Sequence, residues 1–126
     1  MTNEPNEADI LRPVQEQLDA YNAKDIDRFM QWWADDCQYH AFPSELLAGS
    51  AAQLRERHIL RFKEPDLHAR LIHRMRVGNL VVDQELVTRN FPEGVGEIDV
   101  IAIYQVEAGK IAKAWLKIGT PRMASS

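Results

Sequence analysis

The stretch DVIAIYQVEAGKIAKAWLKI, Asp99 to Ile118, decides the fold. Two runs rich in Val, Ile and Tyr flank Glu107-Ala108-Gly109-Lys110, the pattern of a β-hairpin closed by a two-residue turn at Ala108-Gly109. A regular ladder from that turn sets Val106 opposite Ile111, Tyr104 opposite Lys113, Ala102 opposite Trp115 and Val100 opposite Lys117. The other face then carries Gln105, Ile103, Ile101 and Asp99 with Ala112, Ala114, Leu116 and Ile118. That second set is apolar but for Gln105 and Asp99, so it is the predicted inner wall, with a carboxylate at its far end.

A second hairpin precedes it. Leu67 to Val77 and Leu80 to Asn90 flank Gly78-Asn79, a dipeptide suited to a tight turn. The predicted core face collects Leu67, Ala69, Leu71, His73, Met75 and Val77 with Leu80, Val82, Gln84 and Leu86, which sets His73 opposite Gln84. Arg70, Arg74 and Arg76 fall on the opposite face with Asp83 and Glu85, and Arg74 pairs with Asp83. That face reads as solvated or as an interface.

Upstream, Leu11, Val14, Leu18 and Tyr21 recur at three- and four-residue steps, which predicts an amphipathic helix from about Ala8 to Asn22, with Pro13 early in it. Asp25 is the expected cap of a second helix that carries Ile26, Phe29, Met30 and Trp33 inward and ends near Ala34-Asp35-Asp36. Gln38 to Phe42 reads as a short strand stopped by Pro43, and Ser44 to Ser50 as a loop. A third helix is expected from Ser50 to Lys63, with Leu54, Ile59 and Phe62 buried and His58 on its surface. Residues 1–7 and 120–126 read as flexible tails around one domain at 8–119. The fold class is therefore α+β: three N-terminal helices packed on a strongly curved, mixed, mostly antiparallel sheet that forms a cone around an internal pocket.

Composition narrows the function. A formal net charge of −4 argues against nucleic-acid binding by phosphate neutralisation. The single cysteine, Cys37, excludes an internal disulfide and a Cys-rich zinc site, and the histidines show no ligand spacing, so no metal site is expected. No apolar run approaches membrane-spanning length, and the acidic first residues are unlike a secretory leader. A cytoplasmic setting without cofactor or membrane contact is the expectation.

The element order, the phrase Tyr21-Asn22-Ala23-Lys24-Asp25-Ile26-Asp27, the run Trp33-Ala34-Asp35-Asp36 and the closing Gly109-Lys110-Ile111 with Trp115 resemble the nuclear-transport-factor-2-like superfamily. This group of cystatin-like α+β cones includes the SnoaL-like polyketide cyclases and, more distantly similar, the ketosteroid isomerases. In those isomerases an aspartate base moves a proton while a tyrosine and a protonated aspartic acid stabilise the oxyanion. Carried over, the base position falls on Ala41 or Phe42, the tyrosine position on Gln17, and the second acid on Asp99. Only the last retains its chemistry. The resemblance also extends to epoxide hydrolases with an Asp-Arg-Asp arrangement, a reading disfavoured by arginines expected on the outer face.

The candidate catalytic residues are thus Asp99, a pocket acid or else a rim carboxylate, and His73, a general acid or base or else a hydrogen-bonded core group. Gln17, Gln84, Trp33 and Phe29 are candidate ligand contacts, together with Tyr39 or His40, whose alternation allows one of them to face the pocket. Two function classes remain open. One is cofactor-free proton transfer on a small, largely apolar molecule, as in an isomerase, cyclase or dehydratase; the other is a non-catalytic binding or sensing domain. A homodimer through the outer sheet face is expected, since Val100, Tyr104, Val106, Ile111 and Trp115 would make that face too apolar for water.

Overall fold

The computed structural model describes residues 6–124. Asn6 starts helix α1 (Glu7–Ala23) by accepting the Asp9 N–H, and Lys24 ends it in the left-handed region. The helix starts one residue earlier than expected, and Pro13 lies past its first turn, buried within α1. Asp25 accepts the Arg28 N–H at the start of α2 (Ile26–Met30), which stops well short of its expected end. Trp33 instead opens the first strand, β1 (Trp33–Ala41), and the expected loop after Pro43 contains a second, β2 (Glu45–Ala48). Ser50 caps α3 (Ala51–Arg61) through the Gln53 N–H. Four long strands follow: β3 (His68–Val77), β4 (Leu80–Phe91), β5 (Gly94–Glu107) and β6 (Lys110–Ile118).

The strands form one mixed sheet in the order β2-β1-β6-β5-β4-β3. All pairs along it are antiparallel except β1 with β6, which is parallel. The three helices pack on one face, where Val14, Phe29, Trp33, Leu54, Val81 and Ile111 are almost entirely removed from solvent. Burying side chains of that size contributes roughly 1.5–3 kcal/mol each, so this helix–sheet layer is the main source of stability. The C-terminal residues do not all fray. Arg122–Met123 forms a two-residue strand, β7, against Gly96 and Glu97. Gly96 permits that approach, because a Cβ there would lie 2.8 Å from the Arg122 carbonyl oxygen. The flexibility expected of the first five and last two residues falls outside the described residues.

Both hairpins turn where expected, but neither keeps a regular ladder. In β3–β4 the pairs His73–Gln84 and Arg74–Asp83 hold, yet Leu71 pairs with Glu85, so Ile72 is an extra residue. In β5–β6 Val106 pairs with Ile111 but Gln105 pairs with Lys113, which makes Ala112 extra. Each is a β-bulge, which bends its strand and exchanges the faces beyond it. Leu71 and Arg74 thereby both turn toward the helices, and so do Ile111, Ala114 and Leu116. On β5 the inner residues are Val100, Ala102, Tyr104 and Val106, the set expected outside. On β4 they are Val81, Asp83, Glu85 and Val87.

Candidate functional site

Between the helices and the bent sheet lies a cavity of about 100 Å³. From α1 it takes Gln17, Leu18 and Tyr21, and from β1 Trp33, Tyr39 and Ala41. His58, with Arg57 and Arg61, enters from α3. The long strands supply Ala69, Glu85, Val87, Arg89, Val100 and Tyr104. These side chains meet because α1 presents positions four apart, 17 and 21, on the face that also buries Val14 and Leu18.

Glu85 is the chemical centre. It is 7% exposed, and no hydrogen bond to its carboxyl group is found among the described residues. Burial, with the Asp83 charge adding to it and Arg74 opposing it, pushes its pKa up to about 8. Near neutral pH it is therefore mostly a carboxylic acid with a minor ionised fraction. Three tyrosines share its surroundings. Burial raises the pKa of Tyr21, Tyr39 and Tyr104, and the Glu85 charge adds to the rise in each. All three stay phenols at any physiological pH. The Tyr104 hydroxyl accepts from Gln17 Nε2 at 3.3 Å, which leaves its own proton to donate.

His58 is buried, not on the helix surface. Its ring lies 4.6 Å from Phe29 and roughly perpendicular to Tyr39 at 5.6 Å, centroid to centroid. The Leu54 carbonyl, 3.0 Å away, can only accept, so Nδ1 carries the proton and Nε2 is bare. Burial lowers its pKa to about 4, so the ring is neutral. The indole N–H of Trp33, also on the wall, has no partner among the described residues.

Several expected site residues lie elsewhere. Asp99 points outward, with a 67% exposed side chain, and its carboxylate accepts from Arg122 at 2.7 Å. Those hydrogen bonds hold its pKa low, the reverse of the raised value expected of a pocket acid. His73 and Gln84 do pair, but on the exposed face: the extra residue Ile72 turns His73 away from the cavity half of β3, and the unbroken alternation of β4 puts Val81, Asp83, Glu85 and Val87 inside and Gln84 outside. Between Tyr39 and His40 the structure selects Tyr39, while His40 stacks on Trp115 on the far side of the sheet. Gln17 and Trp33 line the cavity as expected, and Phe29 is core behind it. Arg74 also moves inward, but its bidentate pair with Asp83 at 2.7 and 2.9 Å lies outside the cavity lining. Among the described residues no group of three or more His, Cys, Asp or Glu is placed to hold a metal ion. None of the described helices is long and apolar enough to cross a membrane.

Glu85, Tyr21, Tyr104, His58 and the three arginines were not singled out from sequence as site residues. One signal was present: Val81-x-Asp83-x-Glu85-x-Val87 is as regular an alternation as the set chosen for the core, with acids in its middle.

The comparisons agree with this architecture. A family model described as a SnoaL-like domain matches residues 14–114. A cystatin-fold protein from Novosphingobium aromaticivorans, described as uncharacterized, superimposes with a TM-score of 0.78 at 26% identity, over 85% of this chain and 96% of its own. An LEH-like epoxide hydrolase from M. tuberculosis gives 0.77 at 14% identity, over 90% and 85% of the two chains. TsrD from Streptomyces laurentii gives 0.77 at 18% identity, over 91% of each. The last two likenesses concern the fold alone. No curated protein sequence matches the chain.

Proposed function

We propose, from the premise that this chain belongs to the SnoaL-like domain family of the nuclear-transport-factor-2-like superfamily, that it binds a small, largely apolar molecule in the cavity and transfers a proton on it through Glu85. The observation that carries this reading is a largely buried acid with a pKa of about 8, whose carboxyl group lines the cavity without a hydrogen bond from the described residues and shares that lining with three phenols. A catalytic acid or base works best with a pKa near the working pH, and a structural carboxylate of this burial would ordinarily be paired.

The chemistry best suited to the arrangement is proton removal beside a carbonyl. The ionised fraction of Glu85 takes the proton from carbon, and the electron pair moves onto the carbonyl oxygen. A phenol, with Tyr104 the best prepared by its Gln17 contact, donates a hydrogen bond to that oxygen. The proton returns from Glu85 to the product. His58 supplies a neutral acceptor at the wall, not a cation.

The test uses 1-indanone in D₂O as a probe, with α-proton exchange followed by NMR. The parent protein is expected to accelerate exchange, with a rate that rises with pH toward 8, and Glu85→Gln to lower it by a factor on the order of 10²–10⁴. A folded Glu85→Gln variant that exchanges as fast as the parent would sink the reading.

Binding without chemistry is favoured by one observation. Ala41, which lines the cavity at a position where the resemblance would require a base, has no titratable group. Saturable binding of 1-indanone with no exchange above background would support that alternative.

Self-association is proposed as well. On the sheet face away from the helices, Ile72, Met75 and Ile101 are 46%, 55% and 44% exposed, with Val82, Leu86, Ile103 and Trp115 partly exposed beside them. An apolar sheet face of this kind is suited to pairing with a second copy. Light scattering is expected to give twice the chain mass at micromolar concentration; a monomer there would refute it.

A further inference from the structure

The mouth of the cavity differs in charge from its interior. Arg57 and Arg61, both on α3, and Arg89 on β4 line it, and all three also line the shallow groove just outside. Glu64 is the main counter-charge: it takes two hydrogen bonds from Arg89, at 2.7 and 3.1 Å, and approaches Arg61 at 3.3 Å. Arg57 forms no ion pair among the described residues and lies 5.9 Å from the Tyr39 ring centroid, over its face. Three guanidinium groups thus share one paired carboxylate, and Glu56, the other acid of the groove, is exposed to solvent. The field of these arginines reaches inward, since Arg61 and Arg57 act on both the Tyr39 hydroxyl and the His58 ring.

A neutral apolar ligand would have no use for this mouth. Arg57 is exposed and Arg61 and Arg89 are partly so, with Glu64 the one carboxylate paired among them; the like charges left over repel each other, and an incoming anion relieves that repulsion. Guanidinium groups match a carboxylate in geometry as well as charge. The position matters too: the cationic groups sit at the rim, while Leu18, Val87, Val100 and the aromatic rings form the interior.

We infer that the ligand of this cavity is an amphipathic organic acid, held with its apolar body inside and its carboxylate at the rim between Arg57 and Arg61. This rests on the reading of the cavity as the ligand site and adds the class of molecule it takes. The acid group is an anchor, remote from the proton chemistry, so that orientation at Glu85 is set from the far end of the ligand.

The experiment compares 1-naphthoate with its neutral counterpart 1-naphthamide by isothermal titration calorimetry at low salt. The parent protein is expected to bind the acid at least ten-fold tighter than the amide, and the difference is expected to shrink as salt rises. Arg57→Gln/Arg61→Gln should abolish the preference, the affinity for the acid falling at least ten-fold to the level of the amide, while measurable binding of the amide reports that the cavity is intact. Arg57→Lys should retain most of the preference. Equal affinities of the parent for acid and amide would overturn the anchor and leave the cavity reading standing. Binding of neither compound at millimolar concentration would overturn both. An acid preference that survives in the double variant would overturn the assignment to Arg57 and Arg61.

Discussion

Asp83 and Glu85 stand two residues apart on β4, face the same way, and are both almost fully buried. Asp83 lies opposite Arg74 and accepts two hydrogen bonds from its guanidinium group, which in turn donates to Gln15 on α1. Glu85 lies opposite Leu71, which offers nothing polar. The same strand therefore holds one acid that is satisfied and one that is not, and the extra residue Ile72 lies between their partners. A buried acid with a bidentate partner acts as part of the structure, tying the sheet to α1. On the function proposed above, the unpaired acid facing an opening is held for a ligand that enters.

The sharpest way to break this contrast is to remove the satisfied acid. Asp83→Ala leaves Arg74, with a side chain only 15% exposed, without its carboxylate. A loss of about 3–5 kcal/mol is expected from such an uncompensated charge, read from urea unfolding, whereas Glu85→Gln should not destabilise at neutral pH. Equal losses for the two would erase the distinction.

A smaller effect separates the acids by pH. The unfolded chain ionises Glu85 near 4.5 while the fold keeps it neutral to about 8, so the folded state holds more protons in that window and stability falls as pH rises. His58 works in reverse: the unfolded chain takes up a proton below about 6.5 that the fold refuses until about 4, so its contribution is lost as pH falls. The two slopes offset each other between 4.5 and 6.5. From pH 6.5 to 8 Glu85 acts alone and should lower stability by about 2 kcal/mol, at 1.36 kcal/mol per pH unit. Glu85→Gln is expected to remove that decline in a series of urea midpoints, and a persistent decline would locate the titrating group elsewhere.

The least effect is expected outside. Asp99→Asn breaks an ion pair between two exposed side chains, so its urea midpoint and its rate of 1-indanone exchange should match the parent's. A large loss of exchange would return Asp99 to the site.

The fold was legible because its signals are local. The Gly78-Asn79 and Ala108-Gly109 turns, the caps at Asp25 and Ser50, and the period of Leu11, Val14 and Leu18 each depend on neighbours a few residues away. The site was legible only in part, because facing depends on parity, and parity carries across a whole strand. Gln17 was placed by the helix it sits within, whereas Tyr39 stood open against His40 and Trp33 was assigned to the second helix and not to the strand it begins. His73 was placed by counting along a strand that holds one extra residue, and a single uncounted residue turns every side chain beyond it. Alternation along β5 is unbroken; there the extra residue Ala112 on β6 moves Ala114 and Leu116 onto the face of Tyr104 and Ala102, so the face that carries Asp99 is the outer one. Nothing in the sequence around Ile72 or Ala112 marks a bulge: neither is a glycine, and both fit an unbroken strand. Glu85 was missed for the same reason, since its face was judged solvated by the arginines supposed to share it.

Ile72 and Ala112 are also the places where the chain could change length at little cost. Because each is the unpaired member of its ladder, a deletion there would leave the neighbouring pairs His73–Gln84 and Leu71–Glu85, or Gln105–Lys113 and Val106–Ile111, in step. What would go is the extra bend each bulge puts into the sheet. A homologue shorter by one residue at either position would keep the same wall-lining side chains around a flatter, more open chamber. Its choice of ligand could thus drift through insertions and deletions while the lining residues stay as they are.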